Sequence, residues 1–235
     1  MKAYIEGKAQ QLGPEFAPWF DARNTAIVSI DLHRGHLEDS LDCPCPAPRA
    51  RAIVSAVDAF HAAARELGVP VIHVRSVLRK GGVDDVNGLK AAWRLVFPLH
   101  VGEIRNMDEH AIEGTRWTEF VTHVDEKDLI VQTKKRLSAF FPTDLDFLLR
   151  NLGTKSVVLD GCLADCCVLN TAFDASNLGY NVTVPQDLVR GTNEAMEKGA
   201  LAIIAAHLGI VTDSASILDA WSSRNAPAIA QAASA

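Results

Sequence analysis

A chain of 235 residues, 48% of them apolar and 22% charged, can bury a sizeable core, which excludes a disordered or low-complexity protein. The net charge of −6 and the pI near 5.7 exclude the clustered positive field that nucleic-acid phosphates demand, so the expected partner is a small molecule. No stretch approaches the length of a membrane span and residues 1–11 contain no signal-type apolar run, so a cytoplasmic chain without membrane contact is expected.

In chain order, an arm carrying Pro14, Pro18 and Trp19 occupies residues 1–24, and the rest reads as one domain ending in an apolar-rich tail over 222–235. Thr25 to Asp31 is a short β-branched run that ends in an acid, the pattern of a buried strand. Ile53, Val57, Phe60 and Ala64 recur at helical spacing between Arg49 and Leu67, and Gly68 stops that helix. Strands are expected over Val69–Val74, Asp128–Gln132, Ser156–Leu159 and Asn181–Val184. Arg79 to Glu126 has no strong strand signal and reads as a long active-site excursion with a short helix over Leu89–Val96. Thr143 and Asp146 open another helix that Gly153 closes; two more are expected over Asp165–Leu178 and Thr192–Leu208. Strands alternating with helices predict an α/β fold: a three-layer, doubly wound, mainly parallel sheet of about six strands with helices on both faces.

In such sheets reactive groups gather beyond the carboxyl ends of the strands. Asp31 ends the first strand of this pattern, Lys134 lies just past the third, and the cysteine cluster follows the fourth. Five cysteines, three of them crowded into one segment, suit reduced thiols better than a disulfide framework. Cys167 falls in the first turn of a helix, where free N–H groups favour an anion, and a nearby ammonium such as Lys134 would acidify the thiol further. Asp31 is placed to exchange protons. Taken singly, each residue has a plain structural reading: a capping acid or a small buried hydrophobe.

The segment V-V-L-D-G-C-L-A-D-C-C-V-L-N-T-A-F-D-A-S-N-L-G-Y, Val157 to Tyr180, resembles the nucleophile region of isochorismatase-like cysteine hydrolases, and K-K-R-L-S-A-F-F-P-T-D-L, Lys134 to Leu145, resembles their lysine motif. The resemblance covers about Thr25 to Asp213. It implies Cys167 as nucleophile, since that cysteine precedes Val168 in C-V-x-x-T-A, with Lys134 and Asp31 completing the catalytic group. It also implies a cis peptide between Cys162 and Leu163, and an oxyanion hole from the backbone amides of Leu163 and Cys167. Members with the full Asp, Lys and Cys set generally cleave amide or ureido C–N bonds. Relatives are commonly dimers or tetramers, so a homo-oligomer is expected, with the arm and the tail from Trp221 as candidate contacts.

The expected substrate is a small ureido or carbamoyl compound, such as biuret, triuret or an N-carbamoyl amino acid, or a linear amide such as maleamate. Nicotinamidases resemble the chain too, but carry an aromatic residue where His36 stands, and a metal-binding D-x-H further on that is missing here. His33 and His36 would instead offer hydrogen-bonding edges to substrate, with Arg75 and Phe141 as further contacts and Trp93 and Trp117 read as core. A metal site from His33, His36, Cys43 and Cys45 matches no standard zinc module, and Pro44 and Pro46 stiffen the second pair. No metal or cofactor is therefore expected, and chelators should leave activity unchanged. A nucleotide-binding protein is disfavoured because no G-x-G-x-x-G or phosphate-loop motif follows a strand. A non-catalytic ligand-binding member of the fold is the remaining rival.

Overall fold

The computed structural model describes residues 1–5 and 7–225. Its order is β1 (Lys2–Ile5), β2 (Lys8–Gln11), β3 (Thr25–Ile30), α1 (Arg34–Leu37), α2 (Val54–Glu66), β4 (Val71–Ser76), α3 (Ala92–Val101), β5 (Leu129–Lys134), α4 (Leu145–Asn151), β6 (Ser156–Cys162), α5 (Leu169–Asn177), β7 (Asn181–Pro185), β8 (Val189–Arg190), α6 (Glu194–Ile203), β9 (Gly209–Thr212) and α7 (Ser214–Asn225). The main sheet runs β5-β4-β3-β6-β7-β9, with the short β8 beside β6, and every pair in it is parallel. Successive strands step one way from β3 to β5 and the other way from β6 to β9. The reversal between β3 and β6 opens a crevice beyond their carboxyl ends, where α/β sheets place ligands.

Both faces of the sheet are covered, which is why β3 is buried along its whole length and reads as a continuous apolar run. Alternate residues feed two cores: Ala26, Val28 and Ile30 of β3 pack with Val157 and Leu159 of β6 on one face, while Ile27 and Val158 pack on the other. The first core takes Leu149, Val168, Ala172 and Ile204 from the helical side; the second takes Val57, Phe60, Ile217 and Trp221. Gly161, at φ +107°, lies against the backbone of Ile30, and an added Cβ there would sit 2.1 Å from the Ile30 carbonyl oxygen. The absence of a side chain lets β3 and β6 close at the switch point.

The expected alternation is present, with three local differences. The arm contains the antiparallel pair β1 and β2 and folds back on its own domain: Ala3 packs with Phe20 and Ile210, and the Tyr4 hydroxyl donates to Asp213 at 3.0 Å. Trp221 is fully buried and stacks on Phe60, so the start of the tail belongs to the core; residues 226–235 of the tail lie outside the described residues. The helix expected over Leu89–Val96 is displaced to Ala92–Val101 and continues through Pro98. No described helix is long and apolar enough to cross a membrane. All five cysteines are free thiols.

Candidate active site

Parallel pairing brings the ends of β3, β4 and β5 side by side. Asp31 follows β3 directly, its amide donates to the Val74 carbonyl of β4 at 2.9 Å, and its backbone turns into the left-handed region at φ 55°. Lys134 is the last residue of β5 rather than a position beyond it. A register shift between Val74 and Ser76 aligns Ser76 with Lys134, and such irregularities re-aim side chains at sheet edges. From the other side of the crevice, β6 delivers the chain into a π-helical turn, Ala164–Val168, that carries Cys167. Single π turns recur at functional sites. The Cys162–Leu163 peptide is cis, as the resemblance implied.

The three catalytic candidates meet through one ammonium. Lys134 Nζ donates to Asp31 Oδ2 at 2.6 Å, to Ser76 Oγ at 2.9 Å and to Cys167 Sγ at 3.4 Å, so its three donors are all used. Asp31 Oδ1 accepts from the Ser76 amide at 2.9 Å and the Ser76 hydroxyl at 3.1 Å. Ser76 escaped the sequence reading because nothing marks a serine at a strand end until the neighbouring register is known.

Burial alone would raise the Asp31 carboxyl, but the Lys134 ammonium overrides it and holds the group well below the usual carboxylate range. Burial would likewise lower Lys134, and Asp31 raises it instead. The hydrogen bond with Cys166 and burial hold the Cys167 thiol well above its ordinary value, against the pull of Lys134. The acidified thiol expected from a helix start is therefore not the resting state. The ammonium's charge is already matched by Asp31, so little of it is left to stabilise a thiolate.

A cavity of about 310 Å³ opens onto Lys134 and Cys167. Its walls include His36, Leu78, Trp93, Phe97, His110, Leu163 and Met196. Trp93 and Phe97 come from α3, so the excursion lines the site, and Trp93 belongs to the cavity wall rather than the core. Trp117 is buried, as expected.

The substrate contacts expected from the sequence divide. His36 lines the cavity, while His33 is fully buried behind it. Neither is a solvent-exposed loop residue, and burial depresses both below the ordinary histidine value, His33 to about 3. Arg75 is not a cavity residue: its guanidinium donates to the Thr118 carbonyl at 2.6 Å and to Gln132 Oε1 at 2.9 Å, over the ring of Phe120. Side chains alternate along β4, so Arg75 projects opposite to Ser76. Phe141 is 62% exposed and lies outside the cavity.

Cys43 and Cys45 do not complete a metal site with His33 and His36. The Cys43 thiol points to the Gly35 carbonyl at 3.4 Å. The histidines gather instead with His110 of the excursion, one candidate ligand atom from each lying within 4.8 Å of the others. His110 escaped the sequence reading because no local motif links it to residues 33–36.

The profile of the Isochorismatase domain matches residues 25–216. Ureidoacrylate amidohydrolase RutB of Methylorubrum extorquens is 27% identical over 88% of this chain and 86% of its own. A protein of Arabidopsis thaliana described as a probable inactive nicotinamidase is 32% identical over 70% of this chain and 80% of its own. The chain spans 63 to 86% of the length of three curated relatives it matches. Among solved structures, a cysteine hydrolase from Pseudomonas syringae superposes with a TM-score of 0.75 at 22% identity, covering 87% of this chain and 95% of the other.

Proposed function

Because the chain belongs to the isochorismatase family of hydrolases, we propose that it is a cysteine amidohydrolase that cleaves a C–N bond of a small ureido, carbamoyl or linear amide compound through a thioester intermediate. One observation carries the reading: a buried ammonium, Lys134 Nζ, joins the Asp31 carboxylate and the Cys167 sulfur at the wall of a cavity sized for a small molecule.

The resting proton arrangement is a charged Asp31 and Lys134 pair beside a neutral thiol. Thiol deprotonation is then coupled to attack: as the Cys167 sulfur bonds to the substrate carbonyl carbon, its proton passes to Asp31. The carbonyl π pair moves onto oxygen, and the amides of Leu163 and Cys167 receive the oxyanion. Collapse of the adduct breaks the C–N bond, with Asp31 giving its proton to the departing nitrogen. Ammonia or an amine leaves a thioester on Cys167. Asp31, again a carboxylate, takes a proton from water as that water attacks the thioester; the acid is released and the sulfur is reprotonated. Lys134 stays protonated throughout and orients Asp31 and the sulfur. Ser76 holds the second carboxylate oxygen.

The amide chemistry in the name of the Methylorubrum relative supports this class of reaction. His36 at the cavity wall, where nicotinamidases place an aromatic residue, favours linear ureido and carbamoyl substrates. Trp93 and Phe97 favour a second reading, a substrate with a flat or apolar arm such as an aryl amide. Ammonia release from biuret, an N-carbamoyl amino acid, maleamate and nicotinamide, compared with the Cys167→Ser protein, tests both. Ammonia from at least one compound, absent in the variant, is the expected result; equal release with and without Cys167 would refute the thioester route, and no release from any compound would favour a ligand-binding member.

A further inference from the structure

Beside Asp31 three histidines converge that the proposed hydrolysis does not use. His33 and His36 belong to the segment that follows β3, and His110 descends from the excursion. The ring centroids of His33 and His36 are 4.7 Å apart, those of His36 and His110 are 4.6 Å apart, and those of His33 and His110 are 5.6 Å apart. All three side chains are buried. No hydrogen bond joins any two of the rings among the described residues, and His33 Nε2 and His110 Nδ1 are buried without a partner. Each such nitrogen, left alone, is destabilising by about 1–3 kcal/mol.

The free nitrogens are directed by their own second contacts. His36 Nδ1 lies 2.8 Å from the Cys45 carbonyl oxygen and His33 Nδ1 lies 2.8 Å from the Trp117 carbonyl oxygen. A carbonyl only accepts, so in both rings Nδ1 carries the proton and Nε2 carries the lone pair. The Gly35 amide also approaches His33 Nδ1, at 3.2 Å, which suits the other tautomer. The shorter carbonyl contact decides, since two lone pairs at 2.8 Å would repel. An imidazole whose outer N–H is tied to a backbone carbonyl while its inner nitrogen stays free is the arrangement that metal-ligating histidines adopt.

We propose that His33, His36 and His110 form a binding site for a divalent transition-metal ion of the zinc type, with the remaining coordination position directed to the cavity that His36 and His110 line. This departs from the sequence expectation that no metal is bound. The ligands differ from the H-x-x-H and C-x-C set weighed there, with His110 in place of the two cysteines. The Asp31 carboxylate, 3.8 Å from His33 Nε2, is the nearby negative charge. The proposal does not require the hydrolase reading, because occupancy is measured without substrate.

The test uses the full chain, stripped with a chelator and titrated with Zn²⁺ against a chromophoric competitor, then with Co²⁺ followed by visible absorption. Expected are one equivalent per chain, cobalt ligand-field bands without the intense sulfur-to-cobalt absorption of a thiolate site, and unchanged binding in Cys43→Ser and Cys166→Ser. Affinity should fall about 100-fold or more in His110→Ala and in His36→Gln, each checked for a native circular dichroism spectrum. His110→Ala lies outside the sheet, so it remains informative if His36→Gln does not fold. Absence of stoichiometric binding, a thiolate-type cobalt spectrum, or wild-type affinity in the folded histidine variants would each overturn the proposal.

Discussion

Separating Lys134 from Asp31 offers the sharpest measurement. The pair is buried, 1% and 0% exposed at the two side chains, with 2.6 Å between nitrogen and oxygen. In Lys134→Met the Asp31 carboxylate keeps two bonds from Ser76, both on Oδ1, and Oδ2 loses its only hydrogen-bond donor among the described contacts. Leaving one partner of a buried pair uncompensated is destabilising by about 3–5 kcal/mol. Asp31→Asn is the complementary change. Asn tolerates the left-handed φ of 55° at that position better than Ala does, so the loss reports on charge rather than backbone strain. It orphans the ammonium instead and should be destabilising by a similar amount. In the double variant neither charge remains, and the loss should be well below the sum, giving a coupling of at least about 3 kcal/mol in the double-mutant cycle. Urea unfolding by fluorescence and circular dichroism reads all four proteins. An orphaned Asp31 can relieve its penalty by taking up a proton, so the loss in Lys134→Met should shrink as the pH is lowered. Single-variant losses that simply add would refute the view that this pair is a coupled buried unit. Asp31→Asn should also reduce turnover about 10²- to 10⁴-fold as the proton carrier is removed; near-normal rates would refute its role.

Of the adjacent thiols, Cys167→Ser should abolish a substrate-derived thioester in intact-mass spectra, whereas Cys166→Ser and Cys162→Ser retain it; an adduct persisting only without Cys167 would reassign the nucleophile. Gly161→Ala should lower stability by at least about 3 kcal/mol, because its Cβ meets the Ile30 backbone at a positive φ; a urea midpoint within error of wild type would contradict this. Trp221→Ala should be destabilising by about 3–5 kcal/mol through loss of the stack on Phe60, and a change below 1 kcal/mol would show that the tail is not part of the core. Burial raises the Asp128 carboxyl, but bonds from Arg65, the Asp125 amide and His73 outweigh it and lower its pKa. Its stabilisation is therefore full above the unfolded carboxyl value of about 3.9 and lost as pH falls through the lower folded value. Arg65→Met should weaken the protein at pH 7 more than at pH 3, and equal losses at both would refute the linkage.

Much of this architecture was legible from local pattern. Strand runs, glycine stops and a strand-end acid follow from side-chain periodicity and backbone freedom, which act over a few residues. The identities of Asp31, Lys134 and Cys167 were legible for the same reason: each is a chemically distinctive residue at the end of a recognisable element. Arg75 was misplaced although parity along β4 was readable, since Ser76 and Arg75 must face opposite ways. Phe141 was misplaced because a loop residue carries no periodicity from which its direction can be read.

The sequence by itself determined the alternation of elements, the two apolar faces of β3 and β6, and the chemical types available at the strand ends. Tertiary structure alone decided what those types became. The register shift in β4 placed Ser76 between Asp31 and Lys134, and the parallel order of β5, β4, β3 and β6 set an ammonium between a carboxylate and a thiol. Folding of the excursion over that end brought Trp93 to the cavity and His110 to His33 and His36. Strand order and loop closure are long-range properties, fixed by which buried surfaces fit together. A separation of 2.6 Å, or a thiol held neutral by burial beside a cation, exists only after that fit has been made.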